Sequence, residues 1–280
     1  MAKYADLHLH TNASDGEYSP QEVVKAAYKQ GFSAISITDH DTLSGIEEAR
    51  EACQKLGIEF ISGIEISTVW EGKEIHILGY FLEKADRDFL EKLTEMKDSR
   101  KERIKKMVKR LNDLGYNISL DKVQEIAGEG AIGRPHVAKA LLEKNYVKSI
   151  KEAFIKLLSP GCPGYVPRYK INPFEAIELI KGISGIPVIA HPGINNDEDL
   201  IYKLVKAGLL GIEVWHPEHN ELLTNKYYQL AKEYDLLITG GSDWHGHNKE
   251  DTALGIIKLD YKYIEKLKRK KKELSLITFT

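Results

Sequence analysis

Residues 19–40 read SPQEVVKAAYKQGFSAISITDH, and this stretch sets the pattern for the chain. Ser19 is a good N-cap, Pro20 falls at N1 and Glu22 completes a capping box, so a helix starts here. Gly31 suits the left-handed position just past a helix end. The run Ser33-Ala34-Ile35-Ser36-Ile37 then predicts a short strand, ending at Thr38-Asp39-His40. The same succession recurs downstream. A helix from Ser44, with Glu47 in the box position, closes at Gly57. The run Ile58 to Ile64 follows and delivers Glu65. Asn172-Pro173 opens a helix that Gly182 closes, and Pro187-Val188-Ile189-Ala190 leads to His191. Gly208 precedes Leu209 to Val214, which leads to His216. Leu236-Leu237-Ile238-Thr239 leads to Gly240-Gly241-Ser242-Asp243-Trp244-His245.

Strands alternating with helices predict an α/β fold with a parallel sheet. Reactive residues gather at the strands' C-terminal ends, where a (β/α) barrel carries its active site. An open doubly wound sheet, which binds ligands at the same ends, is the alternative. From Asp86 to Ser159 the spacing is helical, without a convincing buried strand, and predicts a long helix followed by a helical insertion. The cluster Ser159-Pro160-Gly161-Cys162-Pro163-Gly164 breaks it. The 280 residues suit one large domain carrying such an insertion. The expected division is a first part of the barrel over 1–98, the insertion over 99–164 and a second part of the barrel over 165–280.

A hydrophobic share of 42% with 29% charged residues predicts a folded chain rather than a disordered one. The net charge of −2 offers no basic coat for a stable double-stranded nucleic acid partner. The run Lys268-Arg269-Lys270-Lys271-Lys272 reads as a solvated helix face. Only 2 cysteines, Cys53 and Cys162, are present, so no disulfide framework is expected and a reducing cytoplasm fits. The first residues contain no apolar signal core, and no stretch approaches the roughly 20 apolar residues of a membrane span.

Four segments collect histidines and acids. The first, Asp6-Leu7-His8-Leu9-His10-Thr11, puts His8 and His10 on one strand face, with Asp15 in the loop beyond. The second is Thr38-Asp39-His40-Asp41. The third joins Glu65 to His76, read as two strands apart. The fourth joins His191 to Asp243 and His245. Imidazoles mixed with carboxylates suit Zn²⁺, Mn²⁺ or Fe²⁺, and the lack of a cysteine ligand disfavours a purely structural zinc. Nine candidate ligands exceed what one ion takes, which points to two or three divalent ions. Asp6, Asp39 and Asp41 fit better as supports of the ligands.

These motifs resemble the PHP (polymerase and histidinol phosphatase) family. Asp6-Leu7-His8-Leu9-His10-Thr11 with Ser14-Asp15-Gly16, then Thr38-Asp39-His40-Asp41, carry the likeness. Gly63-Ile64-Glu65-Ile66, Ile75-His76-Ile77-Leu78-Gly79-Tyr80, Ala190-His191-Pro192 and Gly241-Ser242-Asp243-Trp244-His245 continue it in order. The resemblance implies a distorted seven-stranded (β/α) barrel with a trinuclear metal site. One metal would be held by His8, His10, Glu65 and Asp243, a second by Glu65, His76 and His191, and a third by Asp15, His40 and His245. The insertion, with Gly133-Arg134-Pro135-His136-Val137-Ala138, narrows the likeness to nucleoside 3′,5′-bisphosphate phosphatases and 5′-to-3′ exoribonucleases acting on short RNA.

The implied reaction is phosphoester hydrolysis by a hydroxide that the metals make available, without a protein nucleophile. A small nucleotide or short RNA is the expected partner. Arg134, His136, Arg168 and His216 are candidates for binding it, His216 also for phosphate contact or leaving-group protonation. Lys170 is a weaker candidate, Tyr169 could stack on a base, and His219 and His247 read as loop residues. A phosphatase for a small metabolite such as histidinol phosphate is the second enzyme reading. A catalytically silent metal-binding scaffold is the alternative from another class.

Overall fold

A computed structural model of the chain describes residues 3–128, 132–167, 171–246 and 253–277. Among them the chain runs β1 (Tyr4–Leu9), α1 (Pro20–Lys29), β2 (Ala34–Ile37), α2 (Ile46–Leu56), β3 (Glu59–Trp70), β4 (Lys73–Tyr80), α3 (Arg87–Asp113), α4 (Leu120–Ala127), α5 (Arg134–Glu143) and α6 (Ile150–Ala153). A π-helical turn, Phe154–Leu158, extends α6. Then follow α7 (Pro173–Gly182), β5 (Ile186–Ile189), α8 (Glu198–Lys206), β6 (Gly211–Trp215), α9 (Glu221–Glu233), β7 (Leu237–Gly240), β8 (Leu259–Asp260) and α10 (Lys262–Ile277).

The strands form one sheet in the order β7-β6-β5-β4-β3-β2-β1-β8. The sheet curls until the end of β1 meets the chain beyond β7: Leu9 bridges Trp244 in parallel, and the His10 N–H donates to the Trp244 carbonyl at 3.0 Å. Seven strands thus make a nearly closed barrel. The two-residue β8 adds an eighth strand, pairing antiparallel with Tyr4 and Ala5 at the other end of β1.

The expectation of a wholly parallel sheet needs one correction. β3 and β4 form an antiparallel hairpin, and β4 is antiparallel to β5 as well. Glu71 and Gly72 connect them, both with positive φ (48° and 79°), between paired Trp70 and Lys73. That is the geometry of a two-residue turn matched to strand twist. The turn was missed because Glu is not a residue that marks this geometry in a sequence. Glu65 and His76 are therefore on neighbouring strands, not two strands apart.

Local signals explain the rest. The Ser19 capping box forms, and Gly31 adopts φ 79° after α1. The box expected at Ser44 and Glu47 does not form. Ser44 Oγ instead contacts Thr42 Oγ1 at 3.0 Å, and Gly45 is the N-cap. Gly45 has to be small, since a Cβ there would stand 2.9 Å from Asp39 Oδ2. Asn172 caps α7 with Glu175 in the box position, but the left-handed residue after it is Ser184 (φ 58°) rather than Gly182. The basic run on α10 is only partly solvated: Lys268 pairs with Glu59 at 2.7 Å, and Lys271 donates to the carbonyls of Phe81 and Ser184.

Apolar residues of the strands and flanking helices build the main core, which includes Leu7, Ile64, Ile77, Tyr80, Val188 and Ile212. A separate cluster contains Ile104, Met107, Leu111, Val137, Leu141 and Leu157, all from the stretch between Ile104 and Val166. The 27-residue α3 carries residues of both clusters, Phe89 and Leu93 in the first and Ile104 onward in the second. It is the rigid link between them. Cys53 and Cys162 are free. No helix among the described residues is long and apolar enough to cross a membrane.

Close strand packing at Gly63 offers a test of this fold. A Cβ there would fall 2.8 Å from the Ile37 carbonyl and collide with the side chains of Ser36 and Thr38. Gly63→Ala is expected to lower stability by about 1–3 kcal/mol through overpacking, read from the urea midpoint.

Candidate metal centre

Glu65 is fully buried near the middle of β3, the longest strand described. Its Oε2 lies 3.4 Å from His8 Nε2, 3.2 Å from His10 Nε2 and 3.1 Å from His40 Nδ1. Its Oε1 lies 2.8 Å from His76 Nδ1 and 3.0 Å from His191 Nε2. Because β4 is antiparallel, His76 in its first half reaches the barrel end to which β1, β5 and β7 deliver their C-termini. The hairpin is thus what brings His76, from within an antiparallel strand, to the same barrel end.

Asp243 closes the group from the loop after β7, with Oδ1 at 3.4 Å from His8 Nε2 and 3.2 Å from His10 Nε2. Asp15 builds a neighbouring group, 3.3 Å from His245 Nε2, 3.9 Å from His40 Nε2 and 3.8 Å from His10 Nδ1. One atom from each of His8, His10, Glu65 and Asp243 falls within 4.8 Å of the others. The same holds for His10, Asp15, His40 and His245, and for His40, Glu65 and His76. All nine residues expected as ligands are therefore brought together. His191 and Asp243 sit at positive φ (29° and 50°), backbone strain of the kind that clusters at working sites.

The donor set fits divalent ions. His8 Nε2, His10 Nε2 and Glu65 Oε2 are buried with no hydrogen-bond partner. Leaving such atoms unsatisfied is costly, and a shared cation removes the cost. The second nitrogens agree. His8 Nδ1 donates to Glu213 Oε1 at 3.0 Å and His245 Nδ1 to the Asp243 carbonyl at 2.8 Å, which leaves each Nε2 as a lone pair.

The carboxylates and burial pull the imidazoles of the cluster in different directions. Burial alone would lower the pKa of His8, but Glu213, Glu65 and Asp243 hold it well above 6.5. Burial opposes protonation of His10 too, yet Asp243 and Glu65 raise it to about 9. Burial drags His40 down to about 3, against the pull of Glu65 and Asp15. Glu65 and Asp15 resist their own burial and stay well below the usual carboxylate range, because imidazoles surround them.

Supporting residues surround the cluster. Asp39 accepts from the Thr11 N–H at 2.8 Å, Thr11 Oγ1 at 2.7 Å and Ser14 Oγ at 2.6 Å, fixing the loop that carries Asp15. Asp6 accepts from the N–H groups of His8 and Ser242. Asp41 pairs with Arg100 at 2.8 Å and accepts from the Ser67 N–H.

Two participants were not singled out in the sequence. Glu213, fully buried on β6, bonds both His8 Nδ1 and the His191 N–H (2.8 Å). A lone acid in the apolar run Gly211-Ile212-Glu213-Val214 was its one available signal, since a buried charge needs a partner. Arg100, 6% exposed, gave none amid the cations of α3.

Among the substrate-binding candidates, Arg134 faces the cluster. It helps line a cleft of about 380 Å³ shared by Asp15, His40, Glu65, His76, His191, Asp243 and His245. Its Nη2 pairs with Glu74 at 2.9 Å. His136 does not line that cleft; its Nδ1 accepts from the Gly133 N–H at 2.9 Å, and it lines an adjoining groove with Lys139. His216 Nδ1 accepts from the Glu218 N–H, so the neutral ring carries its proton on Nε2, 3.5 Å from Asp243 Oδ2. His219 is no loose loop residue. It is buried, with Nδ1 donating to the Val214 carbonyl and Nε2 accepting from Gly193. Arg168, Tyr169, Lys170 and His247 lie outside the described residues.

The chain is similar to several known proteins. The chain is 35% identical over 253 residues to a 5′-3′ exoribonuclease of Haemophilus influenzae, covering 88% of this chain and 91% of that protein. It is 33% identical over 256 residues to a 3′,5′-nucleoside bisphosphate phosphatase of Chromobacterium violaceum, covering 89% and 90%. A crystal structure from Bifidobacterium adolescentis, assigned as a metal-dependent phosphoesterase, superposes with a TM-score of 0.89 at 31% identity and covers 96% of this chain and 97% of that one. The family model of the PHP domain matches residues 6–186, and the chain belongs to the PHP family.

Proposed function

We propose that this chain, a metal-dependent phosphoesterase, acts on nucleotides that carry a second phosphate: nucleoside 3′,5′-bisphosphates, releasing the 3′-phosphate, or the 5′-phosphorylated end of short RNA. The observation that carries this reading is the shared cleft, in which Arg134 of α5 stands against the cluster of acids and imidazoles. The names of the two curated relatives point to the same two substrate classes.

In this reading one divalent ion is held by His8, His10, Glu65 and Asp243. A second takes Glu65, His76 and His191, and a third Asp15, His40 and His245. Mn²⁺, Fe²⁺ or Zn²⁺ suits these donors. Bound ions of this kind lower the pKa of water towards about 7 and neutralise phosphoryl oxygens. The chain's own contribution is positional. Glu213 orients His8 and the His191 backbone, the Asp243 carbonyl orients His245, and Asp39 holds the Asp15 loop. His216 presents its Nε2–H beside Asp243, where it can donate to a phosphate or leaving-group oxygen. Arg134, steadied by Glu74, offers a guanidinium to the second phosphate. The division into barrel parts 1–98 and 165–280 around an insertion 99–164 belongs to the same proposal. The insertion supplies the specificity and the barrel the chemistry.

Glu65→Ala should abolish bound metal and phosphatase activity together, and Glu213→Gln should cost about 10–100-fold in metal affinity or activity. Metal analysis beside a generic phosphatase assay checks both, and full activity in Glu65→Ala protein would refute the assignment. Metal loading must also expel protons. His10 titrates near 9 in the ion-free protein rather than at 6.5, so its ion pairs contribute fully below pH 6.5 and fade as pH rises through 9. Mn²⁺ binding at pH 7 is thus expected to release protons and to tighten towards pH 9, measurable by calorimetry in buffers of different ionisation enthalpy. Finally, Arg134→Ala should lower kcat/KM for adenosine 3′,5′-bisphosphate by about tenfold or more, with a smaller effect on an aryl monophosphate. Equal losses on both would argue against a role confined to the second phosphate.

A further inference from the structure

The cleft that holds the acid and imidazole cluster is also lined by apolar residues. Pro135, Ile150 and Phe154 line it from the helices of the insertion, and Ile194 lines it from the turn after β5. Phe154 is half-buried, and Ile194 is 57% exposed although it is apolar. Ile194 thus leaves an apolar side chain accessible beside Pro135, Ile150 and Phe154 in the cleft lining. Arg134 lines the same cleft, and its guanidinium lies over the Phe154 ring at 5.5 Å from its centroid.

The backbone at Phe154 is built for this position. Residues Phe154–Leu158 form the π-helical turn, closed by the Ser159 N–H donating to the Phe154 carbonyl at 3.0 Å. Such widened turns are uncommon and recur at working sites. The breaker cluster supports it: Cys162 Sγ donates to the Ile155 carbonyl at 3.2 Å, and the Gly164 N–H donates to the Leu157 carbonyl at 3.0 Å. The sequence Ser159-Pro160-Gly161-Cys162-Pro163-Gly164 thus does more than end a helix. It holds open the turn from which Phe154 reaches the cleft.

We infer that these apolar lining residues, with Phe154 and Ile194 as the principal contacts, receive the nucleobase of the substrate and make the enzyme selective for base-bearing phosphates over bare sugar phosphates. The inference rests on the proposed function and adds the part of the substrate that the metal cluster and Arg134 do not address. A nucleotide combines phosphates with a flat, weakly polar ring, and the cleft combines acids, imidazoles and Arg134 with apolar side chains. The cleft volume of about 380 Å³ falls within the roughly 300–1,000 Å³ common for small-molecule sites. Base stacking on an aromatic ring is tolerant of base identity, so discrimination among the four bases is expected to be weak.

The test compares adenosine 3′,5′-bisphosphate with its base-free counterpart, 1-deoxyribose 3,5-bisphosphate, using the Mn²⁺-loaded full chain. The wild-type ratio of kcat/KM should favour the base-bearing substrate by about tenfold or more, the effect of one base–aromatic contact. Phe154→Ala and, separately, Ile194→Ser should each bring that ratio towards one, mainly through KM. Ile194 is largely exposed, so its replacement leaves the core untouched even if Phe154→Ala folds poorly. Phe154→Tyr should keep the ratio. A wild-type ratio near one, or a ratio unchanged in both variants, overturns the nucleobase site while leaving the phosphoesterase reading intact. Failure of the metal-loaded protein to cleave either compound overturns both.

Discussion

A single carboxylate organises this molecule. Glu65 is buried without solvent at the mouth of a barrel, and a charge placed there is untenable unless the fold surrounds it with compensating groups. Five imidazoles do so among the described residues, three at one oxygen and two at the other. They come from β1, the loop after β2, β4 and the end of β5, so every strand around Glu65 is constrained to end or pass where its imidazole can reach. The strained backbone at His191 and Asp243 belongs to the same demand. Those residues turn away from ordinary strand geometry because their side chains are required elsewhere.

The arrangement is also layered. Around the imidazoles stands a shell of buried acids and hydroxyls, Glu213, Asp39, Asp6 and Asp41, each tied to a ring nitrogen or to backbone N–H groups of the ligand-bearing loops. This shell converts a set of flexible side chains into fixed lone pairs, which is what a multinuclear centre requires. Without ions, the same carboxylates that surround His8 and His10 favour protonation of these two rings, so protons and cations compete for the same acids.

The insertion completes the site from outside the barrel. Its own apolar cluster lets it pack as a unit, and α3 fixes it to the barrel because the helix is shared by both cores. Arg100 of α3 reaches Asp41 beside the cluster, and Arg134 of α5 reaches Glu74 on β4. Two ion pairs thus set how the roof sits over the metal centre. The Arg100–Asp41 pair is shielded from water, where a broken pair is costly, while the Arg134–Glu74 pair is partly open to solvent. The relation between roof and floor is therefore fixed by charge as well as by packing.

Much of this was written in the local sequence. Capping residues announced the starts of α1 and α7, Gly31 announced the end of α1, apolar runs announced the short strands, and a polar residue at the end of a run announced candidate ligands. Most of the nine ligand candidates were legible because they stand at or just beyond a strand end or isolated in an apolar run; Asp15, in the loop after β1, was legible through the motif it shares with His8 and His10. Other features were not legible. The reversal of β4 depends on a two-residue turn whose first residue, Glu71, follows no strong turn preference. Glu213 and Arg100 look ordinary until their distant partners are known. The roles of His136 and His219 depend on which neighbour each ring nitrogen meets. Sequence determines what is local, namely element type, turn chemistry and the inventory of reactive groups, because those energies act between residues close in the chain. Which groups converge, which atom of each is left free and which loop forms the roof are decided by contacts between residues far apart, and only the tertiary structure contains them.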